Sequence, residues 1–342
     1  MALQLDFGMF DWLDRGSGTT AELYESRLEL AKRADQAGFY GYHLAEHHAT
    51  PLGMAPSPSV FFAGLAARTS QIRFSPMAFL LPLHHPLRLV EEVCMLDHLS
   101  GGRVEVGISR GVSPYEINSY DVDSEITREL FEETLEIYRT AMCEPVLDHA
   151  GKHYQFRDVP MEIKPLQRPY PPLWYPSFSE AGATFAAENG FNFMSLGPPA
   201  LVTQLMSLYR EVAARPKTER ASEPDFTPKL GVMRQIFIGK SDDAAMDIAR
   251  LAYSDWYQSI TQLWHRRGDH AYDDFFNWEK SLAGETILIG SVDTVCEKIQ
   301  QLIVASGINY FVGSFAWGSM NPRDSRESLE RFISEVIPAV QL

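Results

Sequence analysis

The stretch from Gly38 to Gly111 constrains the fold most, because it repeats a single order of elements: strand, loop, helix. Strand-like and helical runs alternate within it, with strands predicted at 40–44, 72–80 and 103–108 and helices at 58–69 and 86–99. Pro86 suits the first turn of a helix, where the missing backbone N–H costs nothing. Such alternation predicts a parallel sheet whose strands are joined by crossover helices.

Polar side chains are concentrated where each of these strands ends. They are Glu46, His47 and His48 after the first strand, His84 and His85 after the second, and Ser109 and Arg110 after the third. In parallel α/β folds, the loops at the carboxyl ends of the strands meet on one face and carry the functional residues. We therefore expect a functional site on that face.

The alternation continues along the chain after an interruption at 144–172, which is rich in proline and short β-like pieces. Further strands are predicted at 3–10, 173–175, 191–196, 230–238 and 309–312, with a long loop at 111–125 and a polar loop around 215–226. Further helices are predicted at 19–37, 126–142, 179–188, 200–213, 242–263 and 324–337, with one more capped by Ser291. Thr19 and Glu22 form a capping-box pattern at the start of the first of these helices. About eight strand–helix units predict a (β/α)₈ TIM barrel with insertions; an open doubly wound sheet is the alternative. Because no linker or composition shift occurs, we expect a single domain over residues 1–342.

Composition excludes several classes of partner. The net charge of −15 argues against binding nucleic acid or an anionic membrane through the bulk surface. The three cysteines lack CxxC spacing, which fits a reducing cytosol and disfavours a disulfide scaffold or structural zinc site. The N-terminus lacks a signal pattern, and no apolar run approaches the ~18 residues of a membrane span. We expect a cytoplasmic protein.

Five histidines lie in or directly after the first strands of this stretch, and two of them match a zinc-binding pattern. His43-Leu-Ala-Glu-His47 matches the H-x-x-E-H pattern of inverted zinc proteases, which requires both histidines on one helical face. Because His43 lies in a strand-like run, we predict no metal site and place His43 in the barrel wall. One histidine of the pair His47 and His48 is expected to face the barrel mouth beside Glu46. His84 and His85 are expected to be structural, closing a turn before the next helix.

No glycine-rich phosphate motif of the GxGxxG or GxxxxGK[ST] type is present. Phosphate is instead predicted at Arg110 and at the N-terminus of the helix that opens near Ser179, where free N–H groups favour an anion. Taken alone, Arg110 is equally consistent with a salt-bridged loop residue. The segment 264–284, aromatic and charged without clear period, is the best candidate for a mobile lid.

A series of longer motifs runs in order through nearly the whole chain. They are Ala45-Glu-His-His48, Phe79-Leu-Leu-Pro82, His85-Pro-Leu-Arg88, Leu96-Asp-His-Leu-Ser-Gly-Gly-Arg103, Val106-Gly-Ile-Ser-Arg-Gly111, Ala186-Ala-Glu-Asn-Gly190, Trp256-Tyr-Gln-Ser259 and Ile289-Gly-Ser-Val-Asp293. Together they resemble the bacterial luciferase-like flavin monooxygenases, in particular the luciferase α subunit and its alkanal- and limonene-monooxygenase-type relatives. The resemblance implies a (β/α)₈ barrel, often dimeric, that binds reduced FMN in its mouth and reacts it with oxygen.

The resemblance also implies roles for single residues. His47 matches the catalytic histidine, which assists the formation and breakdown of the flavin peroxide. Arg110 and Arg128 match arginines that hold the FMN phosphate, and Ser179 matches a serine at the same phosphate.

Four further residues are predicted to lie at the flavin. Met77 and Ala78 match a strand-end dipeptide, joined by a cis bond, that lies against the isoalloxazine, and Trp256 resembles an aromatic residue near the pocket. Ser109 stands where the luciferase α subunit has a reactive cysteine, so a thiol role is absent there. The serine-rich flavin loop of luciferase is altered to Pro176-Ser-Phe-Ser-Glu-Ala-Gly182.

The function expected from this resemblance is an FMN-dependent monooxygenase. It would receive FMNH₂ from a flavin reductase, form a C4a-peroxyflavin with O₂, and oxygenate a small apolar substrate such as an aldehyde, ketone or terpene. A homodimer is expected from the family.

Three alternatives stay open. The first is an F420-dependent oxidoreductase of the same superfamily, which would transfer hydride without oxygen; the sequence Glu46-His47-His48 favours the FMN branch. The second is a non-catalytic flavin-binding partner subunit, and the presence of His47, Arg110 and Arg128 argues against it. A zinc hydrolase ranks last.

Overall fold

The computed structural model describes residues 5–215 and 227–340. Its strands are β1 (Asp6–Asp11), β2 (Gly41–Leu44), β3 (Arg73–Pro76), β4 (Phe79–Leu80), β5 (Val106–Ser109), β6 (Val146–Ala150), β7 (Gln155–Pro160), β8 (Leu173–Pro176), β9 (Asn192–Ser195), β10 (Leu230–Ile238), β11 (Ile287–Gly290) and β12 (Tyr310–Ser314). The predicted loop around 215–226 lies outside the described residues except at position 215. Positions 3 and 4 of the first predicted strand also lie outside them.

Helices follow most of the strands. They are α1 (Thr20–Gln36), α2 (Pro58–Ala66), α3 (Pro86–Ser100), α4 (Pro114–Asn118), α5 (Thr127–Cys143), α6 (Glu180–Glu188), α7 (Pro199–Ala213), α8 (Asp242–His265), α9 (Trp278–Ala283), α10 (Val292–Ser306), α11 (Pro322–Arg331) and, after a π-helical turn, α12 (Ile337–Val340). Thr19 and Glu22 form the predicted capping box at the start of α1. No helix among the described residues is long and apolar enough to cross a membrane.

The strands close into a barrel. Neighbouring strands follow the order β3-β2-β1-β12-β10-β9-β8-β5-β4, every pair is parallel, and β11 adds to β10. Phe74 of β3 bridges Val104, just before β5, and Leu80 of β4 pairs with Ser109 of β5. Because β3 and β4 are two parts of one interrupted strand, the nine strands of this path form an eight-stranded barrel, and β11 lies outside the path. The predicted (β/α)₈ architecture is confirmed.

A buried tyrosine fills the barrel interior beside β1 and β2. A Cβ atom at Gly8 would lie 1.9 Å from the Tyr310 hydroxyl oxygen, so β1 needs glycine at that position. The same hydroxyl lies 2.7 Å from His43 Nε2, and the His43 ring packs edge-on against Trp174. Burial lowers the pKa of His43 to about 3, so its ring is neutral. His43 is therefore a barrel-wall residue, as predicted.

The structure corrects the sequence prediction at three places. The strand predicted at 72–80 is interrupted between Pro76 and Phe79, where the Met77–Ala78 peptide bond is cis. Strand β11 was not predicted, because its apolar run of four residues is too short to show a period. The loop predicted at 111–125 contains helix α4. The interruption at 144–172 carries the antiparallel hairpin of β6 and β7.

Candidate active site

His47 lies in the loop that follows β2, at the carboxyl edge of the barrel. Its Nδ1 atom is 3.2 and 3.3 Å from the two carboxylate oxygens of Glu116, and 17% of the side chain is exposed. Within the described part of the chain, Nε2 has no hydrogen-bond partner. The Nδ1 atom of His47 is thus held by a carboxylate, while Nε2 is available to a ligand.

The charge of His47 is set by two opposing effects. Burial lowers the pKa of His47. The adjacent Glu116 carboxylate, together with Asp14 and Glu46, raises this pKa by more than burial lowers it, so the net shift is upward. Asp14 is fully buried and accepts a hydrogen bond from the Gly318 backbone N–H. Burial raises the pKa of Asp14 to about 7 despite that bond. Asp14 is thus a second titratable group at the mouth, and it lies near enough to His47 for each charge to shift the pKa of the other.

His48, the neighbouring histidine, has both ring nitrogens occupied. Nε2 lies 2.8 Å from Glu46 Oε1, and Nδ1 lies 2.8 Å from the Tyr120 hydroxyl. Glu46 is also 3.0 Å from His84 Nε2 and accepts a hydrogen bond of 3.1 Å from the Leu80 backbone N–H. Burial raises the pKa of Glu46, but the bonds from both histidines lower it more, to about 2. Glu46 therefore stays ionised near neutral pH and holds His48 and His84 in place by hydrogen bonds. A structural role remains the prediction for His84.

The sequence analysis missed Glu116, although a signal for it was present. Ser113-Pro-Tyr-Glu116 has the S-x-x-E pattern and an N1 proline that together mark a helix start. Ser113 does cap α4, accepting a 3.3 Å bond from the Glu116 backbone N–H. The Glu116 carboxylate instead turns to His47 and accepts a 2.8 Å bond from the His48 backbone N–H.

The predicted phosphate residues come from three segments of the chain. Arg110 directly follows Ser109, the last residue of β5, and β5 pairs with β8, whose following loop leads to Ser179 at the N-cap of α6. The Ser179 hydroxyl accepts a 3.1 Å bond from the Gly182 N–H, and Ser177 Oγ lies 3.2 Å from it. Arg128 belongs to the first turn of α5. In the described ranges, neither Arg110 nor Arg128 forms an ion pair, and both are exposed.

The residues predicted to face the flavin lie in apolar surroundings. Met77 and Ala78 are buried, and their cis peptide bond agrees with the resemblance. Met77 and Trp256 belong to one hydrophobic cluster inside the barrel, and Trp256 packs against Trp12 with ring centroids 5.3 Å apart. The Trp256 indole N–H is buried without a partner among the described residues. A polar group of a ligand would satisfy it.

The predicted lid segment, residues 264–284, contacts several loops of this edge. Phe276 packs edge-on against Trp256, and Phe275 packs against Phe178, the residue before Ser179. Tyr115, the residue before Glu116 in α4, donates a 2.8 Å hydrogen bond from its hydroxyl to Asp269. The segment therefore lies over the mouth, while its mobility stays a prediction.

This donor set fits reduced FMN. Exposed arginines and the free N–H groups of the α6 N-terminus suit a phosphate dianion. Buried apolar and aromatic side chains around Met77 and Trp256 suit a ring system. The zinc-protease interpretation of His43 and His47 does not fit, because His43 is bound to Tyr310.

Comparison with known proteins identifies the family of this chain. A sequence model of the family described as luciferase-like monooxygenase matches residues 5–310. The chain belongs to the luciferase-like monooxygenase family. Uncharacterized protein y4wF of Sinorhizobium fredii is 35% identical over 93% of this chain and 92% of its own length. The oxygenase component of flavin-dependent trigonelline monooxygenase from Acinetobacter baylyi is 26% identical over 97% of this chain and 95% of its own.

Solved structures of the same fold include proteins named for two different cofactors. Monooxygenase RslO1 from Streptomyces bottropensis has a TM-score of 0.85 at 24% identity, covering 98% of this chain and 99% of its own. The oxygenating constituent of 3,6-diketocamphane monooxygenase from Pseudomonas putida, in complex with FMN, has a TM-score of 0.78 at 22% identity, covering 98% of both chains. The coenzyme F420-dependent tetrahydromethanopterin reductase of Methanopyrus kandleri has a TM-score of 0.69 at 17% identity, covering 98% and 99%. The family resemblance and the fold predicted from the sequence are confirmed.

Proposed function

We propose that this luciferase-like protein is an FMN-dependent monooxygenase that uses O₂ to oxygenate a small apolar organic substrate. The observation that carries the proposal is the His47–Glu116 pair, which holds one imidazole nitrogen and leaves the other available. When bound, reduced FMN would supply the oxygen chemistry through the C4a-peroxyflavin that the family resemblance predicts. An aldehyde, ketone or terpene stays the expected class of substrate.

The phosphate of FMN would be held by Arg110, Arg128 and Ser179. The guanidinium groups supply charge-assisted hydrogen bonds, and the α6 N-terminus supplies backbone donors and a positive dipole end. Ser109, at the end of β5, would lie between this phosphate site and the ring site.

The ring system would lie against Met77 and Ala78, with Trp256 closing the apolar side. Apolar walls and the lid segment would exclude water, which suits a site that must protect a reactive intermediate. His47 Nε2 would accept or donate the proton at the reacting face, and the raised pKa of His47 favours its protonated form.

We further propose a cytoplasmic homodimer of a single-domain chain, supplied with FMNH₂ by a separate flavin reductase. Support for the dimer comes from two helices in contact, α2 and α3, each of which exposes large apolar side chains. Val60 is 74% exposed, Leu99 64% and Met95 54%. Light scattering coupled to gel filtration tests the dimer: a monomeric mass would contradict it.

Anaerobic titration with reduced FMN and with reduced F420, followed by fluorescence, tests the cofactor. Preferential binding of reduced FMN is expected. Preference for F420, together with hydride transfer and no oxygen consumption, would replace the proposal with the deazaflavin oxidoreductase. Absence of binding to both, with stimulation of a partner enzyme, would indicate the non-catalytic subunit.

A further inference from the structure

The turn that follows α8 brings together two histidines and an aspartate, away from the His47 network. His265 Nε2 lies 2.5 Å from Asp273 Oδ1, and His270 Nδ1 lies 2.8 Å from Asp273 Oδ2. One donor atom from each side chain can be chosen so that all three lie within 4.8 Å of one another. Each imidazole therefore donates a ring N–H to the same carboxylate, and a metal ion would replace these protons.

The backbone of this turn fixes the three side chains. The helix ends at His265, and Gly268 reverses the chain with a φ of +69°, a conformation that favours glycine. The Asp269 N–H donates a 3.0 Å bond to the Trp264 carbonyl, and the Asp273 N–H donates a 3.2 Å bond to the His270 carbonyl. The three groups are thus held by short local bonds, which reduces the entropy lost when they bind a common ligand.

A tyrosine of α8 packs beside the cluster of His265, His270 and Asp273. Tyr257, two helical turns before His265, lies near Asp273 and packs against the His265 ring with ring centroids 5.9 Å apart. The exposed fractions of the side chains are 33% for His265, 64% for His270 and 36% for Asp273, so the cluster is open to solvent on one side.

We propose that His265, His270 and Asp273 form a binding site for one divalent transition-metal ion, with zinc as the representative ion. Two imidazoles and a carboxylate are borderline ligands that suit Zn²⁺, Ni²⁺ or Co²⁺ rather than Mg²⁺ or Ca²⁺. Tetrahedral zinc with bonds of about 2.0 Å needs donor atoms about 3.3 Å apart. The hydrogen-bonded pairs reach this spacing by opening less than about 1 Å, and water completes the fourth position.

The ion would tie the end of α8 to the part of the lid segment that follows the helix. His265 is the last residue of α8, whereas His270 and Asp273 belong to the later part of the segment, which contacts α4 through Asp269 and Tyr115. Arg266 and Arg267 are exposed in the same turn and provide trypsin sites inside the loop that the metal closes. We therefore expect bound metal to protect this turn from cleavage.

Calorimetric titration of the full-length, chelator-treated protein with ZnCl₂ tests the site. Wild type is expected to bind one ion per chain with a micromolar or lower Kd. His270→Gln and Asp273→Asn are each expected to weaken binding at least tenfold. His153→Gln is the matched control, because His153 also pairs with a carboxylate, Glu129, but in a pair with no second histidine on the same carboxylate oxygens.

Limited trypsin digestion followed by mass spectrometry provides the second measurement. Zinc is expected to slow cleavage after Arg266 and Arg267 in wild type and in His153→Gln, and to have no effect in His270→Gln. Circular dichroism without metal checks that each variant is folded; His270 is the most exposed of the three ligands and the least prone to disturb folding. Zinc affinity that is equal in wild type, His270→Gln and Asp273→Asn, or no binding at 100-fold excess over the protein, overturns the proposal.

Discussion

The two sides of the barrel mouth are built on different principles. The histidine side, made of Glu46, His47, His48, His84 and Glu116, is connected by hydrogen bonds within the protein. The anion side, made of Arg110, Arg128 and Ser179, presents exposed cations that form no ion pair in the described chain. The histidine side therefore exists before any ligand binds, whereas the proposed function requires a ligand to complete the anion side.

This difference assigns separate tasks to the two sides. A buried network with every partner in place fixes side-chain orientation and protonation, which proton transfer requires. Free guanidinium groups and backbone N–H groups at a helix end contribute affinity for an anion. Substitutions on the histidine side should thus change chemistry and stability, and those on the anion side should change binding.

His47→Ala breaks the histidine side at its reacting group and is expected to have the largest effect. Removing a positioned acid–base group costs about 10²- to 10⁴-fold in rate. We expect oxygenation of an accepted substrate to fall by that factor, while affinity for reduced FMN changes little. Oxygen incorporation by mass spectrometry measures it, with His98→Ala, on the outer end of α3, as control. Unchanged oxygenation in His47→Ala would remove His47 from the mechanism.

Glu46→Ala tests whether the histidine side is also a structural element. Removing one partner of a buried pair costs about 3–5 kcal/mol of stability. Because the pKa of Glu46 falls to about 2 on folding, its contribution is present above about pH 4.3 and is lost as the pH falls towards 2. Urea unfolding at pH 7 measures the loss, and Glu162→Ala, an exposed glutamate two residues after β7, should stay within about 0.5 kcal/mol of wild type. An equally small change in Glu46→Ala would contradict this account.

Arg110→Ala tests the anion side. A hydrogen bond to a charged group contributes about 1.5–3 kcal/mol, so the Kd for reduced FMN should rise about tenfold to 100-fold. The free energy of unfolding of the apoprotein should stay unchanged, because Arg110 has no partner in the described structure to lose. Arg157→Ala, an exposed arginine of β7, is the control. Loss of stability without loss of FMN affinity would show that Arg110 is a structural loop residue.

Glu116→Gln gives the smallest expected effect and sharpens the comparison most. Burial lowers the pKa of His47 and the Glu116 carboxylate raises it, so removing the charge should lower the pKa. The limb of the kcat/KM profile that reports His47 should therefore move to lower pH. The amide can still accept the His48 N–H bond. Glu125→Gln, exposed near the same edge, should leave the profile unchanged, and an unmoved limb in Glu116→Gln would exclude Glu116 as the positioning residue.

The sequence predicted the barrel well because its signals are local. Apolar runs, the Pro86 helix start and the Thr19–Glu22 capping box each depend on a few adjacent residues, and the structure has each of them. The site was predicted less completely, because Glu116 reaches His47 across 69 residues of chain and no spacing rule connects them. The cis peptide bond at Met77–Ala78 was expected only from the family resemblance, and the interruption of the strand there was not predicted. The roles assigned to the site residues stay predictions.

Rapid mixing of the anaerobic complex of protein and reduced FMN with oxygenated buffer tests the central claim most directly. The account predicts that wild type forms an absorbing oxygenated flavin species that persists long enough to meet a substrate. In His47→Ala the species should form or decay at an altered rate, while Arg110→Ala should behave as wild type once reduced FMN is saturating. Oxidation of bound flavin at the rate of free flavin, identical in all three proteins, would contradict the claim that this mouth performs oxygen chemistry.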